Sequence, residues 1–450
     1  MAHAQPRVLE SSLPYIVRSQ DNLSKLGREM LVKPQAWSEV AKYNQLTDAD
    51  ALVPGQKIDI PLRLLKSKAA GGKVIIAEGD VSLGDVPVQP GALVADGSQI
   101  KTGANSSAVI ELGDGSRIKV LPNSLALVVT NRNYQMRDAG SSGSTTWFSG
   151  LMRLTSGTIE ALASKTAKRA TPLQIQTPTS TVGIRGTEFR VAFDDPSNNA
   201  ARTEVLEGRV RADNPAQGNG ADLPMGTGAV VKPQDKEVKV VPLLPAPDLA
   251  AIPQEIIKPQ GLWPMPVLAG ADGYRVQVAS DEKFDKILRD IKVSGVPGAN
   301  AELGSLANGD WFARVRGIDP AGLEGFDTVK VITVKELQWR ATHSVLSVVG
   351  GKTTLRWYAQ KTNFQQLSAE NFSAVLAKDA ALAQSAITLQ STGPMTELIL
   401  GDIKPGVYYI RLRGKLAQGI SLDSEVYRLE VPAGWGQGAA KLDSVLQVPN

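Results

Sequence analysis

The catalytic inventory of this 450-residue chain is short: two histidines and no cysteine. Without cysteine there is no thiol nucleophile, no thiolate metal site and no disulfide. His3 and His343 are far apart in sequence, H-E-x-x-H is absent, and neither a zinc site nor a Ser-His-Asp triad has local partners. Ser280-Asp281-Glu282-Lys283 has the S-x-x-K spacing, but it follows directly on an alternating stretch and reads as a turn. Gly350-Gly351-Lys352-Thr353 ends like a phosphate loop, yet Leu346 stands where its first glycine belongs. A carboxylate pair could be drawn from the 45 Asp and Glu, but no local motif singles one out. The chain therefore reads as non-enzymatic, with no metal and no cofactor.

What remains are residues fit to bind, and the elements that would carry them. Tyr15-Ile16-Val17 reads as a strand, and Asp21 as the N-cap of a helix with Leu23, Leu26 and Met30 on one face. Pro34 can open a second helix that presents Trp37, Val40 and Ala41 and ends at Asn44. Pro54-Gly55 turns the chain into a second strand, Ile58-Asp59-Ile60, closed by Pro61. The expected result is a β-α-α-β unit with antiparallel strands.

These residues resemble a LysM module: Tyr-x-Val, Asp-x-Leu, Trp-x-x-Val-Ala-x-x-Asn, then Leu-x-Pro-Gly-Gln-x-Ile-x-Ile-Pro. The resemblance implies a shallow groove for N-acetylglucosamine-containing glycans, chiefly peptidoglycan. Carried over by position, it implicates Asp21, Asn22 and Leu23 on one side and Leu52, Val53, Pro54 and Gly55 on the other. The sequence departs from the family at Gln20-Asp21-Asn22, where the family has Gly-Asp-Thr, and this bears on how the first loop sits.

Beyond a linker the pattern changes to period two. Val109–Leu112 and Arg117–Val120 flank Gly113-Asp114-Gly115-Ser116, which predicts a hairpin with a type I′ turn. Strand–Gly–strand units recur around Gly157, Gly208 and Gly226, and predict bends in a stacked β-structure. The stretch Gln176 to Val191 holds Pro178, Gly183, Arg185, Gly186, Thr187, Glu188 and Phe189; with Glu207-Gly208 it resembles the FecR domain over roughly residues 78–234. Gly183 and Gly186 bracket Arg185, which predicts a tight turn with Arg185 turned inward against Glu188 or Glu207, as a structural lock or a partner contact. The family's named member carries a cytoplasmic anti-sigma segment and a membrane helix ahead of this domain. Here the LysM-like segment stands in that place, so direct sigma-factor control does not carry over.

The C-terminal half alternates again, in Tyr274–Ala279, Gly309–Asp319, Thr354–Trp357, Phe372–Ala377 and Pro405–Gly414. The pair of segments is similar to fibronectin type III-like domains. The fold class is thus multidomain and mainly β: a β-α-α-β LysM module, a stacked β FecR-like domain, then two β-sandwiches. Its predicted boundaries are 1–12 signal-peptide scar and tail, 13–64 LysM, 65–73 flexible linker, 74–240 FecR-like, 241–262 Pro-rich linker, 263–335 and 336–432 sandwiches, and 433–450 mobile tail.

Ala2-His3-Ala4 before Gln5 has the small-x-small form left by signal-peptide removal, and no run of about 18 apolar residues predicts a transmembrane segment. A net charge of +4, spread thinly, predicts no nucleic-acid partner. The sequence reads as a Gram-negative periplasmic protein that binds peptidoglycan and takes part in scaffolding or signalling with another envelope or inner-membrane protein. The alternatives are a LysM-targeted enzyme of wall glycan and a sensor of a small ligand.

Overall fold

The N-terminal unit folds around the side chains that its helical spacing places inward. In the computed structural model, which describes residues 11–48, 52–137, 144–165, 168–184, 188–195, 197–258, 262–336, 338–361, 366–384, 386–391, 396–416, 421–436 and 441–449, the helix Leu23–Met30 buries Leu23, Leu26 and Met30. Its N-cap is Asn22, not Asp21: the Asn22 side chain accepts from the Lys25 amide at 2.8 Å. Asp21 is diverted because its carboxylate accepts the Tyr15 hydroxyl at 2.5 Å. Pro34 opens a single 3-10 turn before the helix Trp37–Tyr43, and Gly27 lets the first helix meet that turn, since a Cβ would lie 2.4 Å from the Pro34 carbonyl. Strands Ser12–Ile16 and Lys57–Pro61 pair antiparallel. Asn44 ties the second helix to them, bonding both the carbonyl and the amide of Asp59 at 2.7 Å.

The described residues divide into two compact units. The first holds residues 1–254, 263–303 and 310–332, so three segments predicted as separate domains share one body. At its centre the strands from Ser67–Ala69 to Val241–Pro242 close into a barrel whose core is almost wholly apolar, from Val74 to Val238. The alternation of strands such as Arg117–Val120 explains this, because every second side chain enters the core. Gly157, Gly208 and Gly226 all lie at positive φ, at the bends the repeats predict. The hairpin between Ser107–Glu111 and Arg117–Val120 forms, but Arg117 pairs with Glu111, one residue off the register a two-residue turn would set. Its turn is not type I′, since only Gly115 has positive φ. A three-residue loop closes it instead, which leaves Asp114 free to take Arg169 through two bonds of 2.9 and 2.7 Å.

One hairpin leaves the barrel as an arm. Its strands, Leu125–Arg137 and Ser144–Leu162, are far longer than their neighbours and stay paired out to Arg137–Ser144. The arm's tip packs Tyr134 and Met136, with Trp147, into the core of the N-terminal unit. Residues 65–73 are not a flexible linker: Ser67–Ala69 adds to the arm at Arg132–Tyr134, and Lys66 donates to the Met30 carbonyl at 2.7 Å. The described part of the Pro-rich linker is anchored rather than free, with Leu249 buried and the Pro253 carbonyl accepting the Trp263 indole at 2.8 Å.

The same unit contains the sheet of Gly273–Ala279, Ile287–Ser294 and Gly309–Ile318. The second unit is a sandwich of two sheets around Trp339, Trp357 and Phe372, whose rings meet at 5.9 and 5.5 Å. Gly350 and Gly351, both at positive φ, form the tight turn between Trp339–Val349 and Lys352–Lys361, which is the role left for them once a phosphate loop is rejected. Residues 433–450 are not a mobile tail where described. Lys441–Asp443 and Leu446–Gln447 each pair with a sandwich strand, because Val445 between them buries its side chain.

Candidate functional site

The first candidate is the pair of loops at one end of the N-terminal unit. The chain leaving the first strand is pinned to the chain entering the second: Val17 donates to the Gln56 carbonyl at 2.9 Å, and Gly55 donates to the Val17 carbonyl at 2.8 Å. This sets residues 18–22 beside 52–56. Val53, Pro54 and Gly55 are exposed, Val53 to 63%, while Leu52 and Asn22 are half-buried. Two residues carried over by position face the other way. Leu23 is core, and the Asp21 side chain is only 1% exposed, held by Tyr15, by the Arg18 amide at 2.9 Å and by Arg137 at 3.0 Å. Burial raises the Asp21 carboxyl, but these donors outweigh it and hold the group below the usual range. Asp21 therefore shapes the first loop, where Gln20 adopts φ 66°, and the open surface is Asn22 with Leu52 to Gly55.

The FecR-like motif divides between strand and turn. Pro178 is the exposed corner of a turn in which Thr177 donates to, and accepts from, Ser180. Gly183 is not a turn residue: it sits mid-strand between Gln174 and Arg211, where a Cβ would meet nothing closer than 3.9 Å. Arg185, Gly186 and Thr187 lie outside the described residues. Glu188 opens the next strand, exposed, and Phe189 is core. Partial burial first, then Glu160, raises the Glu188 carboxyl although the residue keeps much of its surface in solvent. Glu207 is taken by Lys165 at 2.6 Å, and Gly208 supplies the bend beside it.

The largest concentration of charge went unseen in the sequence. Arg190, one strand position past Phe189, is fully buried and donates to the carbonyls of Glu324 and Gly325 at 2.7 and 2.6 Å. Around it Arg275 forks onto Asp290 at 2.7 and 2.6 Å and reaches Glu324 at 2.9 Å. Arg316 is ion-paired with Glu324 and bonds Asp327 at 3.1 Å, and Arg314 bonds Glu160 at 2.7 Å and Gln277 at 2.7 Å. The Arg cluster holds Glu324 well below the carboxylate range against its burial. Glu204, directly across from Arg190, is less well served, and burial pushes it up to about 7. At the margin of this layer a cleft of about 360 Å³ is lined by Arg117, Lys119, Glu188, Phe284 and Asp285 among others. Alternation hid the layer: in Arg275-Val276-Gln277 and Arg314-Val315-Arg316 the polar face reads as solvated, yet the barrel covers it.

Chemically, the charged layer is largely paired within itself, although Arg190 Nε and Gln277 Nε2 are buried without a hydrogen-bond partner, and the loop pair offers the exposed apolar surface of Val53 and Pro54. Ser280 to Lys283 form a turn around Asp281, whose carboxylate accepts the amides of Asp285 and Lys286. Among the described residues no three His, Cys, Asp or Glu side chains are grouped to hold a metal. No described helix is long and apolar enough to cross a membrane.

The family described as FecR protein matches residues 98–211, the barrel strands from Gln99–Thr102 into Arg209–Asn214. No curated protein matches the chain. Among solved structures, a candidate anti-sigma factor from Parabacteroides distasonis ATCC 8503 is 14% identical, with 36% of this chain and 78% of that one covered and a TM-score of 0.25. The chicken CNTN1 FN1–FN3 domains are 15% identical, with 62% and 95% covered and a TM-score of 0.25.

Proposed function

We propose that this is a non-enzymatic peptidoglycan-binding protein of the bacterial envelope, acting in scaffolding or signalling with another envelope or inner-membrane protein. The FecR match supports the signalling side of this reading. The observation that carries the glycan side is the pinned pair of loops, with Val53, Pro54 and Gly55 exposed beside Asn22. An apolar strip of that kind suits the face of a sugar ring, and the Asn22 side chain beside it is of the type that bonds acetamido and hydroxyl groups. A shallow site of this kind binds modestly, because little surface is buried.

The full chain should co-sediment with purified peptidoglycan, and a soluble N-acetylglucosamine oligomer should release it. Val53→Asp, which puts a charge into the strip without touching the core, should weaken retention about tenfold. Wild-type protein that stays in the supernatant, or a variant that pellets equally well, removes the glycan reading. Soluble muropeptides released in the same tubes would replace it with an enzyme.

A further inference from the structure

We propose that Arg137 is a positioning residue of the groove, so that the barrel's arm sets the shape of the first glycan loop. This rests on the groove being the glycan site. The loop turns tightly between Arg18 and Asp21, whose amide donates back to the Arg18 carbonyl at 3.2 Å. The Asp21 carboxylate holds that turn from inside through Tyr15 and the Arg18 amide. Its only charged partner among the described contacts is Arg137, 116 residues later, at the tip of the arm. The same guanidinium reaches Glu29 at 3.0 Å, so it bridges the loop to the helix behind it.

Docking the arm does not require this contact, since Tyr134, Met136 and Trp147 already supply the apolar seat. Arg137 ends instead on the one carboxylate that fixes the loop's conformation. An ion cannot be left buried and unpaired without cost, so removing Arg137 should let Asp21 swing toward water and open the turn. The arm's second strand, Ser144–Leu162, carries Trp147 at the module and, past the bend at Gly157, Glu160 in the charged layer. Glycan held in the groove should therefore steady the arm.

The test uses the full chain and a soluble N-acetylglucosamine oligomer, with affinity by calorimetry and backbone hydrogen exchange. Arg137→Ala should bind about tenfold more weakly, the loss of one charge-assisted hydrogen bond. Amides 18–22 should exchange faster in that variant, and Arg137→Lys should recover most of the affinity. Met136→Ala, which loosens the seat without touching Asp21, should lower the melting temperature and leave affinity near wild type. Oligomer should slow exchange at 131–137 and 144–150 in the wild type and not in Arg137→Ala. If the wild type binds and Arg137→Ala binds equally, the positioning role is wrong and the glycan reading stands. An equal loss in Met136→Ala also overturns it, by assigning the effect to docking in general. A wild type that does not bind overturns both.

Discussion

Arg190 and Glu204 face each other on neighbouring strands, their charges 3.6 Å apart and both side chains out of water. A guanidinium in that position keeps its charge and must find acceptors, and two backbone carbonyls meet most of its need. Glu204 has less: it accepts the Glu324 amide at 3.3 Å and shares its surroundings with the Glu324 carboxylate. With its folded pKa raised to about 7, the native state binds more protons than the unfolded chain between the ordinary carboxylate range and neutrality. The contribution of Glu204 is therefore fully present below that window and is lost as pH rises through it. Glu160, Asp194 and Glu324 are shifted the opposite way, so their contribution is lost as pH falls below the carboxylate range. Chemical denaturation of the wild type should show a midpoint that drops between about pH 5 and about pH 8, and Glu204→Gln should flatten that drop. A variant whose midpoint follows the wild type across the window would show that Glu204 does not titrate there.

The glycines of the barrel separate by what their backbone demands. Gly157 has φ 89°, and a Cβ there would lie 2.1 Å from the Ser124 hydroxyl and 2.5 Å from the Ser124 Cα. That hydroxyl is already bonded to the Thr158 amide at 2.9 Å, so it cannot yield without breaking the bend. Gly183 has ordinary strand geometry and open space beside it. Gly157→Ala should destabilise by at least ~1–2 kcal/mol, the left-handed penalty alone. Gly183→Ala should be neutral or gain up to ~1 kcal/mol, since glycine is the weaker strand residue. Thermal unfolding of the two variants decides this, and an equal loss in both would mean that Gly183 carries a constraint its strand does not reveal.

In the whole molecule, three sequence segments share one body because each leaves a face that cannot meet water. The N-terminal module carries the core that Tyr134 and Met136 of the arm complete, the barrel carries Arg190 and Glu160, and the sheet of Gly273–Ala279 carries Arg275 and Gln277. Cutting between them strips partners from buried charge, which typically costs ~3–5 kcal/mol per broken pair. Residues 66–245 expressed alone should therefore melt well below the full chain or fail to stay monomeric, although the barrel's apolar core is complete. A fragment that melts with the full chain would show that the charged layer adds no stability.

The sequence by itself determined the local elements and the class. Leu23, Leu26 and Met30 at helical spacing, the strand pairing of Ser12–Ile16 with Lys57–Pro61, and the bends at Gly157, Gly208 and Gly226 follow from periodicity and backbone preference, which act over a few residues. Tertiary structure decided which polar faces are surface. Arg314-Val315-Arg316 and Phe189-Arg190-Val191 carry the same alternation as any solvated strand, and only a second sheet laid over them makes the arginines interior. It also decided that Asp21 binds Arg137 rather than capping a helix, and that Ser67–Ala69, Lys441–Asp443 and Leu446–Gln447 join sheets. Partners more than a hundred residues away leave no mark on spacing, because their contact is set by how faces pack and not by where residues stand in the chain.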